Sequence, residues 1–218
     1  MSILTTVALW TLAGSGVAAI GPSPAVIDPT MPGVVFEATR ARFADQGRLV
    51  IAGSPVYSPG TRDFAISVTV QTKPGSTSIP AGDHANVFQH WTSRPGGVMA
   101  KIALATAQHG PGKADDVMNV PRCELQADPL PDGTPSDQII LVAPKTSDNA
   151  GPLTIRCVKN KSNVQLFVNG VMVARRGVTL GAFTLDRDWS IGAKLGANVT
   201  PSDALAGWAW NARVEIKP

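Results

Sequence analysis

The chain has 218 residues, enough to bury a full hydrophobic core, and all-β sandwiches of this size are often one domain. It contains 21 Gly and 18 Pro, only 16% of its residues are charged, and its formal net charge is +3. Frequent turn residues and the lack of a long amphipathic pattern favour a β-sandwich or barrel over a helical protein. The scattered Lys and Arg argue against nucleic-acid binding.

The N-terminal stretch, residues 1–27, carries no charged side chain. It lacks the basic n-region of a secretory signal, and Thr, Ser and Gly interrupt the apolar run that a membrane span needs. Because an ordered apolar arm must bury itself, it either packs on its own domain as a first strand or inserts into a neighbouring subunit. A retained anchor or atypical signal is a third interpretation. Four prolines in residues 21–33 predict an extended connector, so we divide the chain into an arm, 1–33, and a domain, 34–218.

Short strands separated by turns follow in the body of the chain. The clearest is Phe64–Thr72, in which Phe64, Ile66, Val68 and Val70 alternate with polar residues. Further strands are predicted at residues 48–53, 86–91, 98–105, 122–126, 138–143 and 207–216. Three long loops, residues 108–121, 128–137 and 144–152, bracket some of these strands, and loops on a rigid sandwich are frequent binding sites.

Residues 152–177 predict three consecutive antiparallel strands. Leu153, Ile155 and Cys157 share one face of the first strand, and the second has the same period of two. Asn169-Gly170 stands between the second and third strands. An Asn-Gly pair favours a type I′ hairpin turn, because both central residues of that turn need a positive φ.

The two cysteines, Cys123 and Cys157, both fall in strand-like runs and lack metal-binding spacing. Two interpretations stay open from the residues alone. The cysteines could pair across neighbouring strands, which would indicate an oxidising compartment, or remain two buried free thiols.

Catalytic and metal-binding patterns are not found in the sequence. His84, His90 and His109 lie in unrelated contexts, and no nucleophile elbow, zinc motif or phosphate loop occurs. The acidic residues also lack the paired carboxylates of a β-sandwich glycosidase. We therefore expect no enzyme activity, no resident metal and no cofactor. A calcium role for Asp115-Asp116 is the alternative to a solvated charge pair.

Exposed aromatic and amide side chains are the residues that a sugar-binding site would use. Strict alternation in residues 207–216 places Trp208 and Trp210 on one face with Ala212, Val214 and Ile216, so both tryptophans are predicted to be core residues. Trp91, at the end of a strand, is the preferred surface aromatic. The candidate ligand-binding residues are Trp91, Gln71, Gln165, Asn211 and Arg213.

The order of these strands resembles the laminin-G-like, or concanavalin A-like, jelly roll over about residues 34–217. The matching pieces are FAISVTVQT, NVFQHW followed by VMAKIALA, then RCEL, LTIRCVKNKSNVQLFVNG and GWAWNARVEI. The family's Asp-Gly turn is Asn169-Gly170 here, and its Trp-His pair before the cysteine strand is replaced by Leu153-Thr154. The resemblance implies pairing of Cys123 with Cys157. None of the family's calcium ligands maps onto the chain.

The resemblance also implies a function. Such domains are common among minor tail proteins of phages that infect actinobacteria, so we expect a virion protein that contacts host surface glycan. Residues 1–27 would bind other tail proteins in a homo-oligomer, with several weak sites acting together. The alternatives are a secreted carbohydrate-binding lectin-like domain and a glycan-active enzyme on the same fold.

Overall fold

Sixteen β-strands make up nearly all the regular structure that the computed structural model describes. The described residues are 4–14, 18–44, 47–73, 84–91, 97–107, 117–134, 136–144, 151–195 and 204–218. The helical structure within these residues is one 3₁₀ turn, Pro55–Tyr57. The described residues therefore contain no helix that is long and apolar enough to cross a membrane. The strands are β1 (Thr5–Trp10), β2 (Ala18–Ile20), β3 (Ala25–Ile27), β4 (Val34–Phe36), β5 (Ala41–Phe43), β6 (Leu49–Ile51), β7 (Phe64–Thr72), β8 (His84–Trp91), β9 (Met99–Ala107), β10 (Val117–Gln126), β11 (Gln138–Val142), β12 (Leu153–Asn160), β13 (Asn163–Val168), β14 (Val171–Gly177), β15 (Trp189–Ile191) and β16 (Gly207–Ile216).

These strands form two antiparallel sheets that pack face to face. Sheet A has the order β14-β13-β12-β7-β16-β1-β2, and β5 also pairs with β16 and carries β4. Sheet B has the order β11-β10-β9-β8-β15-β6-β3. The predicted antiparallel β-sandwich is confirmed.

The predicted three-stranded segment is β12, β13 and β14 in sheet A. Val168 pairs with Val171 across the turn, where Asn169 has φ 49° and Gly170 has φ 81°. Both central residues therefore have the positive φ that the Asn-Gly prediction required.

The core lies between the inner faces of the two sheets. The central strand β7 contributes alternate apolar side chains to it, as predicted, and each is at most 1% exposed: Phe64, Ile66, Val68 and Val70. A disulfide between Cys123 in β10 and Cys157 in β12 crosses this core, with a Cα–Cα distance of 5.6 Å. It joins the two sheets, whereas the sequence suggested neighbouring strands.

The N-terminal arm packs on its own domain in the described residues. β1 pairs with β16 in sheet A, and β3 pairs with β6 in sheet B. Trp10 is fully buried, with ring centroids 5.7 Å from Tyr57 and 6.1 Å from Phe88. Its indole Nε1 donates to the Ser23 carbonyl at 2.8 Å. The arm thus supplies part of the aromatic core.

Candidate functional site

A β-bulge in β16 determines which side chains face solvent on sheet A. Trp210 pairs with Thr69 of β7, but the next paired residue is Arg213, opposite Ser67. Asn211 adopts the left-handed conformation, with φ 52°, and is exposed. Asparagine tolerates this conformation better than most residues, and the extra residue changes the alternation of the strand.

The bulge shows that the prediction of core positions for Trp208 and Trp210 was wrong. Beyond the bulge, Ala212, Val214 and Ile216 point inward as expected, at 0 to 3% exposure. Before it the inward residue is Ala209, and both tryptophans lie half-buried on the outer face. The prediction failed because period-two alternation holds only for a strand without an insertion.

Trp208 belongs to a cluster of polar contacts at one end of this face. The Arg40 guanidinium lies over the indole ring, with its Cζ 4.5 Å from the centroid, a cation–π arrangement. The same guanidinium donates from Nε to Glu37 Oε2 at 3.0 Å and from Nη1 to Gln71 Oε1 at 3.2 Å. Trp208 Nε1 donates to Glu37 Oε1 at 3.2 Å. Four side chains therefore hold one another in place.

Glu37 is the anionic centre of that cluster. Arg42 Nε also approaches Glu37 Oε1, at 3.6 Å. Hydrogen bonds from Arg40 and Trp208, with the charges of both arginines, lower the pKa of the Glu37 carboxyl below its ordinary value. The carboxylate is therefore ionised at neutral pH, and it is shared by two guanidinium groups.

A second cluster lies further along the outer face of sheet A. Glu215 Oε2 accepts from Arg156 Nε at 3.1 Å and Nη2 at 3.0 Å, and Arg213 Nη1 lies 3.9 Å from Glu215 Oε1. Arg156 and Glu215 line a shallow pocket of about 270 Å³, together with Gln165 and Phe167. A polar pocket lined by one half-buried aromatic ring is suited to binding a hydroxyl-rich ligand.

The structure brings four of the five sequence-predicted site residues to this face. Gln71 contacts Arg40, Gln165 lines the pocket, Arg213 approaches Glu215, and Asn211 forms the bulge. Trp91 is 38% exposed but belongs to the outer face of sheet B, so it does not join them.

The outer face of sheet B carries a different polar cluster. Glu124 Oε2 accepts a hydrogen bond from Gln138 Nε2 at 3.2 Å. Glu124 Oε1 also forms ion pairs with Lys101 Nζ at 3.3 Å and with Arg122 Nε at 2.7 Å, and the Arg122 pair lacks hydrogen-bond geometry. Lys101 Nζ also lies 2.5 Å from His84 Nε2. Lys101 and Glu124 are nevertheless buried. Buried and mutually paired charges are typical of a structural network.

His90, the second histidine, points into the core. It packs against Trp189, and its Nε2 accepts from the Arg187 backbone at 3.3 Å. Burial lowers its pKa to about 4, although the nearby Asp186 and Asp188 raise it and Arg187 lowers it further. His90 is therefore neutral at pH 7. His109 lies outside the described residues.

No group of three or more His, Cys, Asp or Glu side chains that could hold a metal ion occurs among the residues that the structure describes. Asp115 and Asp116 lie outside those residues, so the absence of a resident metal or cofactor stays a prediction.

No family model matches the chain, and no curated protein matches it in sequence. Solved structures do resemble it. Domain 4 of AbnA, a GH43 extracellular arabinanase from Geobacillus stearothermophilus solved in complex with arabinotriose, is 12% identical with a TM-score of 0.61, covering 98% of this chain and 93% of that one. The mouse laminin α1 chain, domains LG4-5, is 10% identical with a TM-score of 0.52, covering 78% and 40%. The alginate lyase Aly36B is 10% identical with a TM-score of 0.54, covering 100% and 96%.

At these identities the comparisons show the fold alone, which is a jelly-roll β-sandwich. The neighbours include both enzymes and binding domains, so the fold does not choose between the two kinds of function. That choice depends on the chemistry of the outer faces.

Proposed function

We propose that the chain is a non-enzymatic carbohydrate-binding module that uses the outer face of sheet A. The observation that carries this proposal is the β16 bulge, which turns Trp208 and Trp210 outward beside Gln71 and Arg213. Aromatic rings with a few fixed polar groups are the usual composition of a small-ligand site. The arabinotriose complex of a structural neighbour adds support for a sugar ligand.

Trp210 is the central residue of the proposed site. Arg40 already covers a face of Trp208, whereas Trp210 stands between the two polar clusters, beside Thr69. The Thr69 hydroxyl, opposite Trp210, is 3.0 Å from the hydroxyl of Thr154, which lies one strand further from β16. A sugar ring stacked on Trp210 would find hydrogen-bonding partners on both sides.

Isothermal titration calorimetry against soluble oligosaccharides, chosen from a glycan screen of the intact protein, tests the site. The expected result is that Trp210→Ala removes most of the affinity. Trp91→Ala, which removes an exposed tryptophan from the other sheet, is the matched control and keeps wild-type affinity. Equal losses in the two variants, or a screen with no bound glycan, would refute the proposal.

The lack of enzyme activity is part of the proposal. A general acid needs a raised pKa, but the pKa values of the Glu37 and Asp28 carboxyls are lowered by their hydrogen bonds and arginine partners, although burial of Asp28 opposes this. Glu215 is paired with Arg156. Turnover of any bound polysaccharide, lost when one carboxylate is changed, would establish the glycan-active alternative.

The narrower role that we propose is host-glycan adhesion from a virion tail, and its support is the resemblance described above. Because described parts of residues 1–27 pair within the domain's own sheets, contacts with tail proteins would use their exposed side chains, such as Ile20 and Val26. The inter-sheet disulfide also suits the alternative, a secreted lectin-like domain. Native mass spectrometry of the intact protein distinguishes the two: a homo-oligomer supports the virion role, and a monomer supports the secreted alternative.

A further inference from the structure

We infer that the preferred ligand is an acidic polysaccharide, one that carries carboxylate, sulfate or phosphate groups. This inference rests on the proposed glycan-binding function and adds that the bound glycan is negatively charged. The outer face of sheet A carries two clusters in which two arginines share one glutamate: Arg40 and Arg42 with Glu37, and Arg156 and Arg213 with Glu215.

Each cluster has one guanidinium group in excess of its carboxylate. The four arginine side chains are between 33% and 44% exposed, so they are held by ion pairs and still reach solvent. A guanidinium group can bind a carboxylate or phosphate through two parallel hydrogen bonds. Each cluster can therefore bind one oxyanion of a ligand while its glutamate stays paired.

The two clusters are spaced along β16 with Trp210 between them. Trp208 pairs with Gln71 and Arg213 pairs with Ser67, and these partners are four positions apart on β7, which corresponds to about 13 Å at strand rise. One extended oligosaccharide could place a ring on Trp210 and an anionic group at each end. The arrangement favours a ligand with sparse, regularly spaced charges.

Nucleic acid is less compatible with the same face. Its backbone carries a charge at every nucleotide, and Glu37 and Glu215 would repel those phosphates that the arginines do not neutralise. Two arginines for each glutamate leave one excess positive charge per cluster, which suits a ligand with fewer negative charges per unit length than a nucleic acid. We therefore choose an acidic polysaccharide, and single-stranded DNA becomes a competitor in the test.

The experiment measures the affinity of the intact protein for oligogalacturonate, heparin oligosaccharide and poly(glycerol phosphate), with neutral arabino-oligosaccharide and single-stranded DNA of similar length as comparisons. We expect at least one acidic polymer to bind more tightly than both comparisons. Which polymer binds identifies the carboxylate, sulfate or phosphate as the preferred anion. Raising the salt from about 0.1 M to about 1 M shortens the screening length from about 10 Å to about 3 Å, and it should weaken the acidic polymers and the DNA but not the neutral oligosaccharide.

Two sets of variants test the residues. Arg156→Gln/Arg213→Gln should lower affinity for the acidic ligand by about tenfold or more, a clearly larger factor than the loss of affinity for the neutral ligand. The matched control, Arg176→Gln/Arg187→Gln, removes the same charge elsewhere, because Arg176 is paired with the inward-facing Val164 at the edge of sheet A and Arg187 lies beside His90 of sheet B. Glu215→Gln should raise acidic affinity by about twofold, a gain that a misfolded protein cannot produce.

The outcomes separate the two proposals. Equal affinity for neutral and acidic ligands at both salt concentrations overturns the inference and leaves the proposed function standing. Tighter binding of single-stranded DNA, or a Glu215→Gln variant with weaker acidic binding, also overturns it. Binding of no glycan at all refutes the proposed function itself.

Discussion

Replacing Asn211 by valine should destabilise the domain and weaken glycan binding together. Asn211 has φ 52°, and its backbone N–H contacts the Thr11 carbonyl at 3.5 Å. A β-branched residue in this conformation costs about 1–2 kcal/mol or more, because its Cβ crowds the following carbonyl. For a domain of this size that penalty lowers Tm by about 2–8 °C.

The matched variant is Asn211→Gly, which keeps the left-handed conformation without a Cβ and should be as stable as the wild type. Urea unfolding monitored by tryptophan fluorescence gives the free energy of unfolding for all three proteins, and calorimetry gives their glycan affinity. If the valine variant matches the glycine variant in both measurements, the bulge does not depend on the φ of Asn211. The explanation given for the outward tryptophans would then be wrong.

Three further perturbations test the packing beneath and opposite the face. Glu124→Gln leaves Lys101 and Arg122 on sheet B without their buried carboxylate, so it should lower the free energy of unfolding by about 3 kcal/mol. Urea unfolding at low and at high salt should show similar losses. His90 has a folded pKa of about 4, below its unfolded value, so the folded state binds fewer protons. Stability should therefore fall by at most about 3 kcal/mol as the pH drops from about 6.5 to about 4, and His90→Phe should remove that slope; an unchanged slope contradicts the assignment. Cys123→Ala/Cys157→Ala removes the disulfide between residues 34 positions apart and should lower the free energy of unfolding by about 4 kcal/mol. If the wild-type protein were equally stable with and without reductant, the disulfide would have no structural role.

The sequence predicted the sheets well because their signals are local. Alternation in β7 and the Asn169-Gly170 turn each depend on a few neighbouring residues. The order of the two sheets and the inter-sheet position of the disulfide depend on distant pairings, which local patterns do not encode. The pairing of Cys123 with Cys157 came from the family resemblance and not from spacing.

The candidate site was predicted only in part, for a specific physical reason. Gln71 and Arg213 follow from alternation, but the outward tryptophans depend on one inserted residue in β16. A signal was present, since asparagine is uncommon within strands and common at positive φ. The partners of Trp208, namely Arg40 and Glu37, lie about 170 residues away in the sequence, and only the fold brings them together.

The N-terminal arm and the proposed glycan face are parts of one structure. On one edge of β16, β5 pairs with the residues before the bulge, from Gly207, and β1 pairs with those after it, from Ala212. The bulge therefore lies at the junction of the two partner strands. At that junction the Thr11 carbonyl contacts the Asn211 N–H, and Gly14 N donates to the Glu37 carbonyl at 2.9 Å. Because the arm contacts both the bulge and the backbone of Glu37, whose side chain accepts from Trp208 Nε1, its packing supports the outward position of the tryptophans on the proposed glycan face.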